Sequence, residues 1–487
     1  MTNRSTGLLL GLIVAASIIG CDSAAPDPYG FRSGSRLKAR YLEGGGTKVF
    51  LAFHDTERDE DCNFGIGGHG LGAILGPGGV GYCLPIERPW DAGFADPSCT
   101  EKLVHTGEGT APTVVVVEPE YSCSEFPTVF SIAEPYAGTL YGFDQDGKCA
   151  SFGPAGSGVK RVGAEVPLER FVRAEETIES AGGRMSRVVL VSDDGARLTT
   201  TAYDDERSEP VLVSWASDPA DARWTPRNLA YNYGEGSLGT PGTVYVDPGC
   251  TRPTGIKDAY DAFCPITAVY EFVPDGCHGY VGRFHEAGPI LDTTSAFATA
   301  EDGSCVAVDA TTPWSTYLVE MKAEIPIESF APVERTSVGE GTVTQEFWGV
   351  SGEPPVLPSG NLTNRASGEP CAFLEATDGT LRCMPTAWAP SFAYADPSCQ
   401  IPIARETSST DCEGVTVIQK VPPRVTFYEG ETHPAIAYEA GASEPRDFIY
   451  QRQGDACASE AVGGALWQTL KPIDPETLPL ATERLDP

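Results

Sequence analysis

Carboxylates and histidines are the side chains that could do chemistry in this chain. Its 68 Asp and Glu residues could include a pair that faces across a cleft, as in glycosidases, but the sequence does not select which two. Among six histidines, His278 and His285 with Glu286 could in principle hold a metal, although exposed loop histidines explain them more simply. No G-x-S-x-G turn and no H-E-x-x-H helix is present, so no catalytic residue is assigned.

Two groups of acidic residues are candidate calcium ligands, although neither matches an EF-hand loop. The first group precedes Gly147 and consists of Asp144 and Asp146; the second consists of Asp55, Asp59, Glu60 and Asp61. Acidic turn residues on a solvated face explain both groups more simply. We therefore expect neither a metal nor a cofactor, with calcium as the weaker alternative.

A glycine-rich segment and two tryptophans are candidate binding features. Residues 65–70 match the dinucleotide fingerprint letter for letter, but no buried strand precedes them and Gly and Pro follow where a helix must begin. We interpret this segment as a glycine loop. Trp90 and Trp388 each lie between repeated cysteines, where aromatics can stack on sugars or on a partner protein; core packing against a neighbouring disulfide is the favoured interpretation.

The N-terminus has the pattern of a secretory signal. Arg4 precedes an uncharged, largely apolar run that ends at Cys21, and this run is too short to span a bilayer as a free helix. Residues 18–21, Ile-Ile-Gly-Cys, resemble the lipobox of bacterial lipoproteins. That resemblance implies that residues 1–20 are a cleaved signal peptide and that Cys21 carries the lipid. Residues 21–32 contain prolines and read as a short tether to the membrane. Which membrane holds the protein stays open.

Four short motifs recur in the same order along the chain. Asp-Pro-Ser-Cys ends at Cys99 and at Cys399, with Asp-Pro-Gly-Cys between them. Asp-Gly-x-Cys ends at Cys149 and Cys305 and has a looser third copy. Residues 164–171, AEVPLERF, recur at 323–330 as AEIPIESF, and residues 33–37 are echoed by 194–198. These motifs predict three diverged repeats at 33–191, 192–334 and 335–487.

The repeats constrain two disulfides. Of 15 cysteines, lipidation of one leaves an even number in an exported, disulfide-permissive setting. Cys83 precedes Cys99 by the same number of residues as Cys383 precedes Cys399. In the second repeat, the position at this distance before Cys250 is Gly234, so the counterpart cysteine is absent there. The second repeat also lacks counterparts of Cys62 and Cys371. Cysteines that are absent together suggest a bond between them, which predicts Cys62–Cys83 and Cys371–Cys383.

The remaining cysteines are paired by position. A short-loop bridge common to all repeats is predicted as Cys99–Cys123, Cys250–Cys264 and Cys399–Cys412, and Cys277, specific to the second repeat, could meet Cys305. Cys149 and Cys457 have no local partner; a bridge between the first and last repeats and two free buried thiols are the open alternatives. Zinc is disfavoured because CxxC pairs are missing.

The local pattern within a repeat is strand after strand. In the first repeat, residues 36–41, 48–53, 112–117, 128–132 and 139–143 read as strands separated by Gly, Pro, Asp and Ser. Only residues 168–180 have a pattern that could form a helix. About eight strands per repeat fit two four-stranded blades. We therefore predict an all-β fold, either a six-bladed β-propeller with two blades per repeat or three tandem β-sandwich modules.

The net charge and the repeated motifs limit the classes of function that we expect for this chain. With 34 basic and 68 acidic side chains, the net charge is −34, which argues against nucleic acid and against polybasic docking to anionic lipid. The motifs, including Tyr-Cys-Leu-Pro at 82–85 and Arg-Cys-Met-Pro at 382–385, resemble uncharacterised, cysteine-containing repeat lipoproteins of myxobacteria. No activity comes with that resemblance.

Near-equivalent repeats are typical of a scaffold, whereas an enzyme needs one asymmetric constellation. We therefore expect a lipid-anchored protein of the cell envelope, facing the periplasm or the cell surface, that serves as a non-enzymatic binding or structural module. Its partners would be the membrane, through the lipid on Cys21, and a protein or glycan ligand. The alternative is an exported glycan hydrolase with an acidic pair in a central groove.

Overall fold

The computed structural model describes residues 29–64, 79–86, 89–107, 112–117, 126–144, 147–215, 221–232, 244–257, 266–274, 280–291, 295–300, 303–309, 317–387, 389, 391–405, 407–410, 416–427, 434–453 and 456–487. Within these ranges the regular structure consists of strands and three short 3-10 helices, Leu168–Arg170, Ile327–Ser329 and Pro475–Thr477, and no α-helix is found. The all-β prediction is thereby confirmed.

The strands are numbered in chain order. The first thirteen are β1 (Phe31–Arg32), β2 (Leu37–Gly44), β3 (Thr47–Asp55), β4 (Glu60–Asn63), β5 (Val80–Tyr82), β6 (Leu84–Pro85), β7 (Trp90–Phe94), β8 (Lys102–His105), β9 (Val114–Val117), β10 (Thr128–Pro135), β11 (Thr139–Phe143), β12 (Cys149–Pro154) and β13 (Val159–Glu165). The next are β14 (Arg173–Ser180), β15 (Met185–Ser192), β16 (Arg197–Asp204), β17 (Glu209–Trp215), β18 (Ala222–Pro226), β19 (Leu229–Asn232), β20 (Val244–Tyr245), β21 (Thr254–Lys257), β22 (Ala268–Pro274), β23 (Tyr280–Leu291), β24 (Ser295–Thr299), β25 (Cys305–Asp309) and β26 (Tyr317–Ile325). The last are β27 (Glu334–Val338), β28 (Val343–Gly349), β29 (Leu357–Asn364), β30 (Glu369–Glu375), β31 (Leu381–Pro385), β32 (Phe392–Tyr394), β33 (Pro402–Ala404), β34 (Thr407–Thr410), β35 (Thr416–Gln419), β36 (Arg424–Phe427), β37 (Ile436–Gln453), β38 (Ala456–Pro472) and β39 (Leu480–Leu485).

Three antiparallel four-stranded meanders follow one another along the chain. The first meander is β2-β3-β4-β6, the second is β15-β16-β17-β18 and the third is β28-β29-β30-β31. Their strands are rich in Val, Leu, Thr and aromatic residues, which suit a pleated, half-buried surface. After each meander the chain forms an outer region and then one of the three 3-10 helices.

A linking strand follows each 3-10 helix and joins one meander to the next. β14 pairs with β15, β27 pairs with β28, and β39, the last strand, returns to pair with β2. On its other side β14 pairs with β5, and β39 pairs with β31. Backbone hydrogen bonds, among them one from the Trp224 N–H to the Ala331 carbonyl oxygen, make the equivalent connection between β18 and the segment before β27. Because β5 and β6 follow each other in the chain, the path through these pairings and connections returns to the strand where it began.

The loop between the first two strands of a meander holds it to the preceding meander at two junctions. The Asp194 carboxylate, in the β15–β16 turn, accepts hydrogen bonds from the backbone N–H groups of Arg36 (2.8 Å) and Leu37 (2.7 Å). The Glu353 carboxylate, between β28 and β29, accepts one from the backbone N–H of Arg184 (2.8 Å). Residues 33–37 and 194–198, which echo each other in sequence, are thus contact partners rather than equivalent positions.

A tight turn joins the second and third strands of each meander. The carboxylate of Asp55 accepts a hydrogen bond from the backbone N–H of Glu57 (3.0 Å), and Asp204 and Asn364 cap their own turns in the same way. Such Asx turns need a residue with positive φ near their end. That residue is Asp59 in the first meander, Ser208 in the second and Gly368 in the third, with φ of 55°, 57° and 72°.

The outer regions differ from one another more than the meanders do. The first is a seven-stranded sheet, β12-β11-β7-β8-β13-β10-β9; the second is a closed barrel, β19-β21-β26-β23-β22, with a small sheet, β20-β24-β25; the third is β32-β33-β38-β37-β36 with the β34–β35 hairpin. The described sheets do not divide into six four-stranded blades, because the linking strands connect successive meanders. Neither the propeller nor the sandwich alternative is confirmed.

The predicted helix at residues 168–180 is not formed. Leu168–Arg170 makes one 3-10 turn, and the rest of the segment is β14. β14 pairs with β15 over seven residues, from Ala174 to Ser180. A helix of two or three turns is marginal by itself, so the ladder of backbone hydrogen bonds to β15 outweighs the local helical pattern.

Candidate functional site

The inner disulfides occupy equivalent places in the first and third meanders. Cys62 is bonded to Cys83, and Cys371 is bonded to Cys383, with Cα–Cα distances of 5.2 and 5.3 Å, as the repeats predicted. Cys62 lies opposite Pro85 and Cys371 lies opposite Pro385. All four cysteines are buried in the cores between the meanders.

In the second meander a tryptophan takes the place of the disulfide. Val211 lies opposite Pro226, so Val211 corresponds to Cys62 and Trp224 corresponds to Cys83. Both side chains have no exposed surface, and the Trp224 Nε1–H donates to the Gly349 carbonyl oxygen at 3.1 Å. The predicted counterpart, Gly234, is wrong and lies outside the described residues. Valine and a large indole fill the volume that the disulfide fills elsewhere.

The outer disulfides correct the pairing predicted by position. Cys99 is bonded to Cys149, Cys250 to Cys305 and Cys399 to Cys457, with Cα–Cα distances of 5.7, 5.7 and 6.1 Å. The predicted bridges Cys99–Cys123, Cys250–Cys264, Cys399–Cys412 and Cys277–Cys305 are therefore wrong, and so is a bridge between Cys149 and Cys457. Each observed bond joins the loop of an Asp-Pro-x-Cys motif to a strand of the same outer region, at the second cysteine motif.

The aspartate of each Asp-Pro-x-Cys motif organises the loop that presents the cysteine. Asp96 accepts hydrogen bonds from the backbone N–H groups of Glu101 (2.7 Å) and Thr100 (2.9 Å) and from the Ser98 hydroxyl. These bonds, that of Glu101 first, hold the pKa of the Asp96 carboxyl below its usual range. Cys99 adopts a φ of 53°. The motif is thus a structural loop for a disulfide.

The predicted calcium and metal ligands are engaged by other protein groups. Asp55 is buried and forms two hydrogen bonds of 2.7 Å to the Arg36 guanidinium. Asp61 binds Arg40 and lies 3.0 Å from His54 Nδ1. No group of three or more His, Cys, Asp or Glu side chains in the described part of the chain could hold a metal ion. Asp144 and Gly147 belong to one turn, and Asp146 lies outside the described residues.

His285 has a different partner from the one the sequence suggested. Its Nε2 lies 3.0 Å from a carboxylate oxygen of Glu271, on the neighbouring strand β22, rather than at Glu286. The ring is buried inside the second outer region. His278, His69 and His433 lie outside the described residues. The pair therefore secures two strands of the barrel, and no described hydroxyl or thiol is bonded to it.

Trp90 is exposed on β7, which overturns the prediction that it packs in the core. Its side chain keeps 70% of its surface exposed, and its ring stacks on the ring of His105 with an interplanar angle of 8° and centroids 5.8 Å apart. The His105 Nδ1 accepts a hydrogen bond from the backbone N–H of Gly107 (3.1 Å). The Cys62–Cys83 disulfide belongs to the meander core instead. Trp388 lies outside the described residues.

A pocket of about 250 Å³ opens on the face of the second meander beside β14. It is lined by Gly79, Glu176, Ile178, Val188, Tyr203 and Pro210, from the segment before β5 and from β14, β15, β16 and β17. Ile178 lies opposite Val188, and Tyr203 lies opposite Pro210. Antiparallel pairing therefore places these side chains on one face. No sequence pattern predicts the pocket, because its residues come from five separate segments.

Two polar side chains contribute to the pocket. Glu176 Oε1 lies 3.0 Å from an Arg227 guanidinium nitrogen, and both side chains are largely buried. Within the described residues, no hydrogen bond reaches Glu176 Oε2 or the Tyr203 hydroxyl. Gly79 has a φ of 74°, and a Cβ there would lie about 3.5 Å from Glu176 Oε2. The glycine therefore leaves space beside the carboxylate.

The corresponding faces of the other meanders carry charged side chains instead. By strand register, Val188, Tyr203 and Pro210 correspond to Arg40, His54 and Asp61 in the first meander. There the Arg40 guanidinium contacts both Asp61 and Glu483 and covers the face. In the third meander, Glu346 corresponds to Val188 and Thr363 corresponds to Tyr203. The pocket thus distinguishes the second meander from the other two.

Some predicted residues fall outside the described ranges. They are Cys21 and the signal region, residues 65–70, and the cysteines Cys123, Cys264, Cys277 and Cys412. Among the described residues there is no helix long and apolar enough to cross a membrane. Compared with known proteins, the chain matched no family model, no curated protein and no solved structure.

Proposed function

We propose that this protein is an exported, lipid-anchored module of the cell envelope that binds a ligand without transforming it. The observation that carries this proposal is the pocket of the second meander, which is set into a disulfide-bonded scaffold of three meanders. A rigid concave site with a few convergent polar groups is the usual form of a small-ligand site. The lipobox-like segment at residues 18–21 supports attachment to the membrane through Cys21.

The five disulfides among the described residues indicate an oxidising compartment. Each closes a local loop within one repeat, and such cross-links contribute about 2–4 kcal/mol each by restricting the unfolded chain. A body stabilised in this way suits an exported protein that works outside the cytoplasm. Its large negative charge would be repelled by an anionic membrane surface, so the lipid on Cys21 would supply the attachment.

The pocket favours binding over hydrolysis. Glycosidases use two carboxyl groups on opposite sides of the bond they cleave, whereas Glu176 is the one carboxylate among the described lining residues. Its Oε1 is paired with an Arg227 guanidinium nitrogen at 3.0 Å, and no second carboxylate among the described lining residues faces it across the pocket. The geometry therefore supports holding a ligand rather than cleaving it.

The glycan hydrolase is the second candidate, and one observation favours it. Asp61 and Glu483 converge on the same face of the first meander, next to His54. Arg40 lies between the two carboxylates and contacts both. A retaining or inverting mechanism needs two carboxyl groups that face the bond to be cleaved, whereas both of these face Arg40, which makes this cluster a better structural link between β2 and β39 than a catalytic pair.

The test combines binding with turnover. The purified full chain in detergent is sedimented with insoluble envelope polysaccharide from the producing cells, and the supernatant is assayed for released reducing ends. The proposal predicts that the protein sediments with the polysaccharide and that reducing ends do not rise above the control without protein. Release of reducing ends that is abolished by Asp61→Asn or Glu483→Gln would establish the hydrolase instead. Intact-mass measurement of the membrane-extracted protein tests the lipid on Cys21 separately.

A further inference from the structure

The charges around the pocket select a neutral ligand. Glu176 and Arg227 form an ion pair at 3.0 Å, so the two charges largely cancel within the site. A cationic ligand would have to share the Glu176 carboxylate with Arg227, and an anionic ligand would face that carboxylate as well as a chain with a net charge of −34. A charged ligand would therefore be desolvated without an opposite charge that is free to pair with it alone. Neutral ligands avoid this cost.

The available polar atoms call for hydroxyl groups on the ligand. Glu176 Oε2 is a carboxylate oxygen that can accept two hydrogen bonds, and the Tyr203 hydroxyl can both donate and accept. Neither is bonded to another described residue, so a ligand that lacks donors would leave the Glu176 oxygen without a partner once water is excluded. Adjacent hydroxyl groups on one ring could satisfy both residues together.

The walls and the size of the pocket fit one sugar ring. Ile178, Val188 and Pro210 supply apolar walls, and Tyr203 supplies an aromatic ring. The C–H groups on one face of a pyranose are apolar, while its hydroxyl groups point outward around the ring. The pocket volume of about 250 Å³ is below the roughly 300–1,000 Å³ of sites for drug-sized ligands, so the site holds one ring and not an extended chain.

From this combination we infer that the pocket lined by Glu176, Ile178 and Tyr203 binds a single neutral pyranose, either as a free sugar or as a terminal residue of a glycan. Vicinal hydroxyl groups donate to Glu176 Oε2, the Tyr203 hydroxyl bonds a third oxygen, and the apolar sugar face packs against Ile178. This inference rests on the proposed binding function and gives it a ligand class.

The test uses ligand-observed NMR on the full chain in detergent. The probes are methyl glucoside, methyl galactoside, methyl mannoside and methyl N-acetylglucosaminide, with glucose 6-phosphate and glucosamine as the charged comparisons. We expect saturation transfer to at least one neutral pyranoside and at least tenfold weaker binding of its charged counterparts. Tyr203→Phe and Ile178→Ala should each weaken binding about fivefold, and Glu176→Gln at least tenfold, because a hydrogen bond to a charged group is lost.

Two controls keep the test decisive. Glu179→Gln removes a carboxylate from the same strand, where it binds Arg197 rather than lining the pocket, and it should leave binding unchanged. Because Glu176→Gln removes the carboxylate oxygen that contacts the largely buried Arg227, Tyr203→Phe carries the conclusion if the Glu176 variant folds poorly. Equal binding of charged and neutral sugars, or unchanged binding by both Tyr203→Phe and Ile178→Ala, would overturn the inference.

Sedimentation with polysaccharide separates this inference from the proposed function. If the protein sediments with polysaccharide while no pyranoside binds to the pocket, the ligand class is wrong and the binding function stands. If neither polysaccharide nor any pyranoside binds, both proposals are wrong. Competition of a neutral pyranoside with the polysaccharide, lost in Tyr203→Phe, is the outcome that both predict.

Discussion

The buried ion pair between Arg184 and Asp204 gives the sharpest test of the way the meanders are built. Asp204 has no exposed surface, and its carboxylate forms hydrogen bonds of 2.6–3.1 Å to the Arg184 guanidinium. Arg36 and Asp55 form the same pair in the first meander. In the third meander, strand register places Asn364 at the position of the aspartate, and Thr342 precedes β28 where the arginine would be.

This natural replacement predicts a strong coupling between the two positions. Removing one partner of a buried pair costs about 3–5 kcal/mol. Because a fifth of the Arg184 side chain is exposed, water can rehydrate part of the guanidinium, so we expect Asp204→Asn to lower the free energy of unfolding by about 2–3 kcal/mol. The double variant Arg184→Thr/Asp204→Asn reproduces the Thr–Asn combination of the third meander. Its free energy of unfolding should therefore fall by less than about 1.5 kcal/mol.

Urea denaturation of the full chain with its disulfides intact measures these differences, provided that the slopes of the transitions agree. Asn364→Asp is the mirror control, since it buries a carboxylate that faces Thr342 instead of an arginine, and it should destabilise the protein. Near-additive losses, with the double variant at least as unstable as Asp204→Asn alone, would refute the idea that the pair and the Thr–Asn combination are interchangeable solutions for one turn.

Three further predictions concern the junctions and the cross-links. Cys149→Ser should free the Cys99 thiol alone. Thiol labelling of the unreduced, denatured protein followed by peptide mapping measures this, and a new free thiol at any other cysteine would contradict the assigned pairing. Gly34→Ala should lower the urea midpoint, because its Cβ would overlap the Asp194 carboxylate; an unchanged midpoint would refute the close junction. Burial opposes ionisation of the Asp194 carboxyl, but the hydrogen bonds that this carboxylate accepts outweigh burial and lower its pKa. The stability that Asp194 contributes is therefore present above its pKa in the unfolded chain and is lost as the pH falls through its pKa in the folded protein. Asp194→Asn should therefore flatten the loss of stability below about pH 4, and an unchanged acid dependence in thermal denaturation would contradict this.

The repeats made the strand content and the inner disulfides predictable. The alternating pattern of residues 36–41 and 48–53 anticipated β2 and β3, and the joint absence of two cysteines from the second repeat identified Cys62–Cys83. The outer bonds were missed although their signal was present. Cys99 and Cys149 both belong to motifs with three copies, and a bridge common to all repeats should join such motifs rather than the nearest cysteine in sequence.

Long-range register could not be read from local patterns. Trp224 replaces a cysteine, yet no spacing reveals this, because the outer regions between the repeated elements differ in length and architecture. The pairing of β39 with β2 depends on contacts between the two ends of the chain. Glu176 and Tyr203 come together only because β14, β15 and β16 lie side by side, so the pocket requires the fold.

Hydrogen–deuterium exchange of the full chain, measured by mass spectrometry with and without a saturating neutral methyl pyranoside, tests the central claim most directly. The account predicts slower exchange in the peptides that cover β14 and β16, around Glu176 and Tyr203, and no change in the corresponding peptides of the first meander around His54. Unchanged exchange in β14 and β16, or protection confined to the region of His54, would contradict it.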